Sequence, residues 1–274
     1  MEGNGQLRIS LLGSCAATSG GAPLDLGGPR QRAVLAVLVL ARGEVVPVDR
    51  LTESVWGDRA PADPAGALQA YVSHLRRRLQ PGSAARTRSA VIVSEGRGYA
   101  VRLPADAVDV WRFERLLENA GATDDAAGAA GLLTEALALW RGPPLAEWTE
   151  EPWAEAAIAR LTELRAVARE RLMAAQLALG KQAMLVADLE AMVAEEPLRE
   201  ERWRLLALAL YRSHRQADAL GALRRARTVH GRPARVGEAG GDRRRPGSHG
   251  CRGATPRGAV AAPGARALPI LPTG

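Results

Sequence analysis

Lysine is all but missing from this chain: Lys181 stands alone against 36 arginines in 274 residues. With so much Ala and Gly, that bias points to a GC-rich coding sequence. Cysteine is almost as scarce. Cys15 and Cys251 cannot build a disulfide framework or a four-ligand zinc site, and histidines scattered at 74, 214, 230 and 249 do not complete one, so neither metal nor cofactor is expected. Long apolar runs are absent too. The longest, Ala33 to Ala41, falls far short of the roughly 20 residues that span a bilayer. Leu12-Gly13-Ser14-Cys15 looks like a lipoprotein cleavage box, but no basic leader precedes it, Arg8 interrupts the apolar residues and they alternate as a strand does, so a cytoplasmic protein is expected. Nor is there a GxxxxGK[ST] loop, an HExxH or a GxSxG. The pairs Glu150-Glu151, Glu195-Glu196 and Glu200-Glu201 sit where helix ends are expected and acids are ordinary, so no catalytic residues are assigned and the chain is read as a non-enzyme.

What is present is a hydrophobic fraction of 47%, ample for real cores, and a net charge of +7 that is unevenly spread. Residues 1–103 carry +5, residues 104–231 carry −4, and the last 43 residues carry +6. Only the N-terminal third therefore suits a polyanion within a folded body.

Leu7, Ile9 and Leu11 alternate with polar residues, and Leu24-Asp25-Leu26 repeats the pattern, which predicts a small opening sheet. A buried helix follows, started by Pro29 and closed by Gly43, and then a second over Arg50–Trp56 capped by Asp49. The third has Asp63 as N-cap and Pro64 at its first position, and runs to Pro81-Gly82. Val91-Ile92-Val93 and Tyr99 to Leu103 flank a glycine turn, the mark of a hairpin. Sheet, three helices and hairpin in this order are the parts of a winged helix-turn-helix. From Asp109 onward only amphipathic helices are predicted: Val110–Ala120, Asp125–Trp140, Trp153–Leu179, Gln182–Glu195, Leu198–Arg212 and Gln216–Val229. A self-similarity at 34 residues sets Ala175 over Ala209, Gly180 over His214 and Leu189 over Leu223, the period of tetratricopeptide helix pairs. The expected fold class is mostly α with a small N-terminal α+β part: a winged helix-turn-helix over 1–104, then tetratricopeptide-like helices over 105–230.

The third helix carries the functional reading. Leu68, Val72, Leu75 and Leu79 share a seam, so Gln69, Ala70, Ser73, His74 and Arg77 lie opposite it and are expected to contact base edges in a major groove. Arg76, Arg78, Arg86 and Arg88 are expected on phosphates, and Arg97, on a Gly-Arg-Gly tip, in the adjacent minor groove. Taken alone, the Arg76-Arg77-Arg78 triplet reads first as a solvated helix end favoured by the helix dipole, and the surrounding helices and glycine hairpin reverse that reading. Trp111, Trp140, Trp148, Trp153 and Trp203 read as packing. Two other readings stay open on the residues: a helical-repeat scaffold with a degenerate DNA-binding part, and an enzyme of unrecognised type.

The order RAVLAVLVLARGEVVPVDRLTESVWGDRAPADPAGALQAYVSHLRRRL, GRGYAVRL, DVWRFERLL, EALALWRGPPLAEW resembles the SARP family of actinobacterial antibiotic-cluster activators over residues 7 to about 229. The first part is similar to the winged helix-turn-helix of OmpR-type regulators, the second to the bacterial transcriptional activator domain. The resemblance implies a nucleoid-associated, pathway-specific activator without cofactor. It would bind direct repeats in double-stranded DNA as side-by-side protomers, a homodimer on DNA, and recruit RNA polymerase holoenzyme. It places the recognition helix at Pro64–Gln80 and the wing at Ser94–Tyr99, where Glu95 stands at a position that is often arginine in response regulators. Residues 1–104 alone are then expected to bind repeats less cooperatively and not to start transcription.

The resemblance stops near Val229. Residues 231–274 are so rich in Arg, Gly, Pro and Ala that disorder is expected, and a reading-frame change accounts for the shift in composition, with a genuine basic tail as the alternative. A helical stack that stops here leaves the apolar faces of Leu220 and Leu223 partly uncovered.

Overall fold

The computed structural model describes residues 7–80 and 90–231. Strands β1 (Leu7–Ser10), β2 (Ala16–Ser19) and β3 (Ala22–Leu24) form an antiparallel sheet in that order, with Ile9 opposite Ala17 and Ala17 opposite Leu24. Gly20 and Gly21, at φ +58° and +86°, make the two-residue turn that joins β2 to β3 and that a side chain would strain. Strand β2 went unpredicted because Ala-Ala-Thr-Ser holds no large apolar residue to reveal an alternation, and the third strand precedes Asp25-Leu26 instead of including them.

Helix α1 (Pro29–Leu40) is buried on several sides through Ala33, Val34, Leu35, Ala36, Leu38 and Val39, as a helix at the centre of a unit must be. Strand β4 (Val46–Pro47) was too short to read. It leads directly into α2 (Val48–Trp56), so Asp49 lies in the first turn of α2 and does not cap it. After a 3₁₀ turn at Gly57–Arg59 comes α3 (Pro64–Leu79), where the Asp63 carboxylate accepts from the Gly66 N–H at 2.9 Å as expected of an N-cap. Strands β5 (Ile92–Glu95) and β6 (Gly98–Val101) then pair, and β4 joins the far side of β6, giving the order β4-β6-β5. Gly98 is required there, since a Cβ would lie 2.4 Å from the Val46 carbonyl oxygen on the paired strand.

Helices α4 (Asp109–Gly121) and α5 (Ala126–Ala138), a 3₁₀ turn at Ala146–Trp148, and α6 (Pro152–Ala178), α7 (Gln182–Glu195), α8 (Glu200–Arg212) and α9 (Gln216–His230) complete the described chain. Each helix from α4 to α8 packs on its successor. The 34-residue repeat has a backbone counterpart: Gly180 and His214, which it superposes, both turn with positive φ, +77° and +62°. Arg202 on α8 is fully buried, donating to the Met192 carbonyl at 2.5 Å and to Glu170 at 3.2 Å, while Arg199 also bonds Glu170 at 2.5 Å. No periodicity signals a buried arginine. It is stable here because carboxylate and carbonyl partners replace the lost water.

The hydrophobic core extends across residues 104/105. One cluster runs from Ile9 through α1 and α3 to Phe113, Leu133, Trp148 and Leu161, and a second fills the α6–α9 end from Met173 to Ala222. Polar groups pin the same junction. The Asp109 carboxylate accepts from the backbone N–H groups of Leu11 (2.8 Å) and Leu12 (3.0 Å), and Trp111 donates to the Val39 carbonyl at 3.1 Å. Leu11 and Leu12 in turn accept from the N–H groups of Leu145 and Arg141 at 2.9 and 2.8 Å. Buried Glu114 sits between Arg42, at the end of α1, and Arg160 on α6. Burial pushes the Asp109 carboxyl above the ordinary aspartate value, against the pull of its backbone donors and of Arg141. Cys15 is buried in the same region, and desolvation raises its thiol to about 12, which makes it an inert packing group. Among the described residues no helix is long and apolar enough to cross a membrane.

Candidate nucleic-acid interface

The α3 seam forms as read: Leu68, Val72, Leu75 and Leu79 are all buried. Opposite it, Gln69, Ala70, Ser73 and Arg77 are exposed in one strip. The Arg77 guanidinium reaches back to the Ser73 carbonyl at 3.4 Å, a long contact that leaves its donors available. Arg78 is exposed on the flank and meets Asp25 at 3.5 Å.

Two of the singled-out residues are engaged within the chain. His74 is only half exposed, and its Nε2 is shut away without a hydrogen-bond partner against the loop before α1, where a Cβ on Gly27 would lie 3.0 Å from it. It belongs to the packing of α3 on that loop. Arg76 is turned to the hairpin. Its Nε donates to the Ile92 carbonyl at 2.8 Å, its terminal nitrogen donates to the Ser94 hydroxyl at 2.9 Å, and the guanidinium lies over the Tyr99 ring at 5.8 Å. A side chain so engaged is a strut that ties the wing to α3. Helical spacing placed both residues on the correct angle of α3 but carries no information about which loop or strand comes to meet them. Arg86 and Arg88 lie outside the described residues.

The wing is a tight hairpin. Glu95 and Arg102 form a two-bond ion pair across it, at 2.8 and 2.9 Å, and Gly96 turns at φ +56°. The Arg97 carbonyl accepts from the Val48 N–H at 3.1 Å, anchoring the tip to the start of α2, while its side chain is exposed. The arginine absent from position 95 is thus offset by an acid that stiffens the hairpin, with Arg97 presented beyond the turn. The surface so formed is one exposed helix strip of small and polar side chains beside a braced, arginine-tipped wing. Among the described residues no three His, Cys, Asp or Glu side chains gather as metal ligands.

Residues 21–101 match the family described as "Transcriptional regulatory protein, C terminal", and residues 108–231 match "Bacterial transcriptional activator domain". The Transcriptional regulatory protein MoaR1 of Mycobacterium tuberculosis is 32% identical over 82% of this chain and 73% of its own length. The chain belongs to the SARP family. The Regulatory protein AfsR of Streptomyces coelicolor is 40% identical over 80% of this chain, which spans only 22% of that protein. A solved structure titled "Mycobacterium tuberculosis EmbR in complex with low affinity phosphopeptide" superposes with a TM-score of 0.75 at 35% identity, covering 82% of this chain and 60% of that one. The chain carries an OmpR-type domain and a bacterial transcriptional activator domain, and it spans 22% of AfsR and 60% of the solved EmbR chain.

Proposed function

We propose that the chain is a pathway-specific transcriptional activator of a secondary-metabolite cluster, one that docks α3 in the major groove of direct-repeat DNA and recruits RNA polymerase holoenzyme. The observation that carries this reading is the exposed strip Gln69, Ala70, Ser73 and Arg77, set opposite a buried seam and beside a braced wing. In it Arg77 donates to guanine, Gln69 pairs with adenine, and Ala70 and Ser73 allow close approach to the base edges. Arg78, with Arg86 and Arg88, neutralises phosphates, and Arg97 enters the adjacent minor groove. Protomers sit side by side on successive repeats as a homodimer on DNA, and the helical module, acidic by sequence, faces the polymerase and the neighbouring protomer.

Fluorescence anisotropy with the promoter of the adjoining gene cluster tests this. Saturable binding that prefers the promoter over scrambled duplex, falls steeply with salt and accompanies transcription by purified holoenzyme is expected. Equal affinity for scrambled duplex would defeat sequence recognition. Tight binding without transcription would defeat the activator reading alone.

A further inference from the structure

Helix α9 is built inside out. Its inward face is made of small residues, Ala219 and Ala222 buried and Ala226 half-buried, while Leu220 and Leu223 point outward, 59% and 43% exposed. The 34-residue repeat explains why. Leu220, Leu223 and Arg227 on α9 stand where Val186, Leu189 and Val193 stand on α7, and those three are buried in the core that α7 shares with α8. Leu189 is 0% exposed. The outward face of α9 is therefore a helix-stacking face to which the described chain supplies no further helix.

Its chemistry has also changed from that of α7. Arg227 replaces the Val193 position and Arg224 the Glu190 position, so the two leucines are flanked by arginines one turn apart. Leu220, Leu223, Arg224 and Arg227 fall on the i, i+3, i+4, i+7 spacing that a partner helix reads. Neither guanidinium makes an ion pair among the described residues. We propose that this face docks an acidic amphipathic helix of another protein, lying on α9 much as α8 lies on α7. The partner's leucine-type seam covers Leu220 and Leu223, and its carboxylates meet Arg224 and Arg227. A second copy is disfavoured, because a two-fold pairing of α9 faces would bring four guanidinium groups onto one contact. The chain's own last 43 residues, with 8 Arg against 2 acids, carry the wrong charge.

The test uses the full chain and two synthetic peptides of about 20 residues, each a helix with one leucine seam. One is flanked by Glu and the other by Lys. Anisotropy is expected to show the Glu peptide binding at least about tenfold tighter than the Lys peptide. Leu220→Asp should weaken it about tenfold or more with the helical circular dichroism unchanged, and Arg224→Glu with Arg227→Glu should reverse the preference. Equal binding of the two peptides, or a Glu-peptide preference that survives both sets of substitutions, overturns the proposal. So does concentration-dependent self-association in sedimentation that Leu220→Asp abolishes, which would make the occupant a second copy. None of these readouts involves DNA, so failure of the DNA-binding reading leaves the result interpretable.

Discussion

Helices α3 and α9 have similar compositions and opposite construction. Both are rich in leucine, alanine and arginine, and both carry arginines toward their C-terminal ends, where the helix dipole favours them. In α3 the large apolar residues face inward and the small and polar ones outward; in α9 alanines face inward and leucines outward. An outward strip of small and polar groups suits the edges of base pairs, while an outward pair of leucines suits another helix. Two basic helices in one chain thus present different surfaces, and the residues under the arginines, not the arginines themselves, distinguish them.

The sharpest way to break this comparison is to cut the chain between the two helices. Residues 1–104 were expected to stand alone as a DNA-binding part. However, their core is completed by Trp111, Phe113, Leu133 and Trp148, and the β1 end is held by Asp109, Arg141 and Leu145. A chain ending at residue 104 is expected to lose cooperative thermal unfolding, whereas one ending at residue 231 should keep it. A sharp melt for the shorter chain would show that the shared core is dispensable.

Next in size is the contrast between seams. Leu75→Ala in the α3 seam should cost about 2–5 kcal/mol in urea denaturation through the cavity it leaves, while Leu220→Ala on α9 should stay within about 0.5 kcal/mol. Similar costs at both sites would mean that Leu220 is covered.

Asp109→Ala is expected to cost about 1–3 kcal/mol, because the buried N–H groups of Leu11 and Leu12 lose their acceptor. The pH dependence has a definite sign. Burial raises this carboxyl, so the native state holds its proton more tightly than the unfolded chain does. Its titration thus favours folding most below the ordinary aspartate pKa, and that advantage is lost as pH rises through the raised value. Glu163 and Glu195, held low by Arg199 and Arg169, run the opposite way: they favour folding above the ordinary glutamate pKa, and this is lost as pH falls through their lowered values. Relative to Asp109→Asn, the natural chain should gain stability as pH falls from 7 to about 4. A difference in melting temperature that is flat with pH would contradict this.

Much of this architecture is legible in sequence where chemistry is local. Asp63-Pro64 marks the start of α3, four spaced apolar residues mark its seam, and the 34-residue period marks both the paired turns at Gly180 and His214 and the uncovered leucines of α9. What escaped is set by tertiary neighbours. Strand β2 is recognisable only by its pairing, since Ala17 is its single buried side chain. Arg76 and His74 share α3 with Arg77, yet one is taken by the hairpin and the other by the loop at Gly27, because elements distant in sequence reach those positions and do not reach Arg77. The junction between the two family domains was invisible for the same reason: backbone groups of Leu11 and Leu12 take part in it.

The central claim is that the α3 strip reads sequence while its flank only holds phosphates. The most direct measurement compares Arg77→Ala and Arg78→Ala on the promoter duplex and on duplexes with each base pair of the repeat replaced in turn, across a salt series. Arg77→Ala is expected to lose about 1–3 kcal/mol and to relax preference at one base position, while Arg78→Ala weakens all duplexes alike and shallows the salt dependence. If Arg77→Ala keeps both its affinity and its base preferences, the exposed strip of α3 is not what reads the DNA.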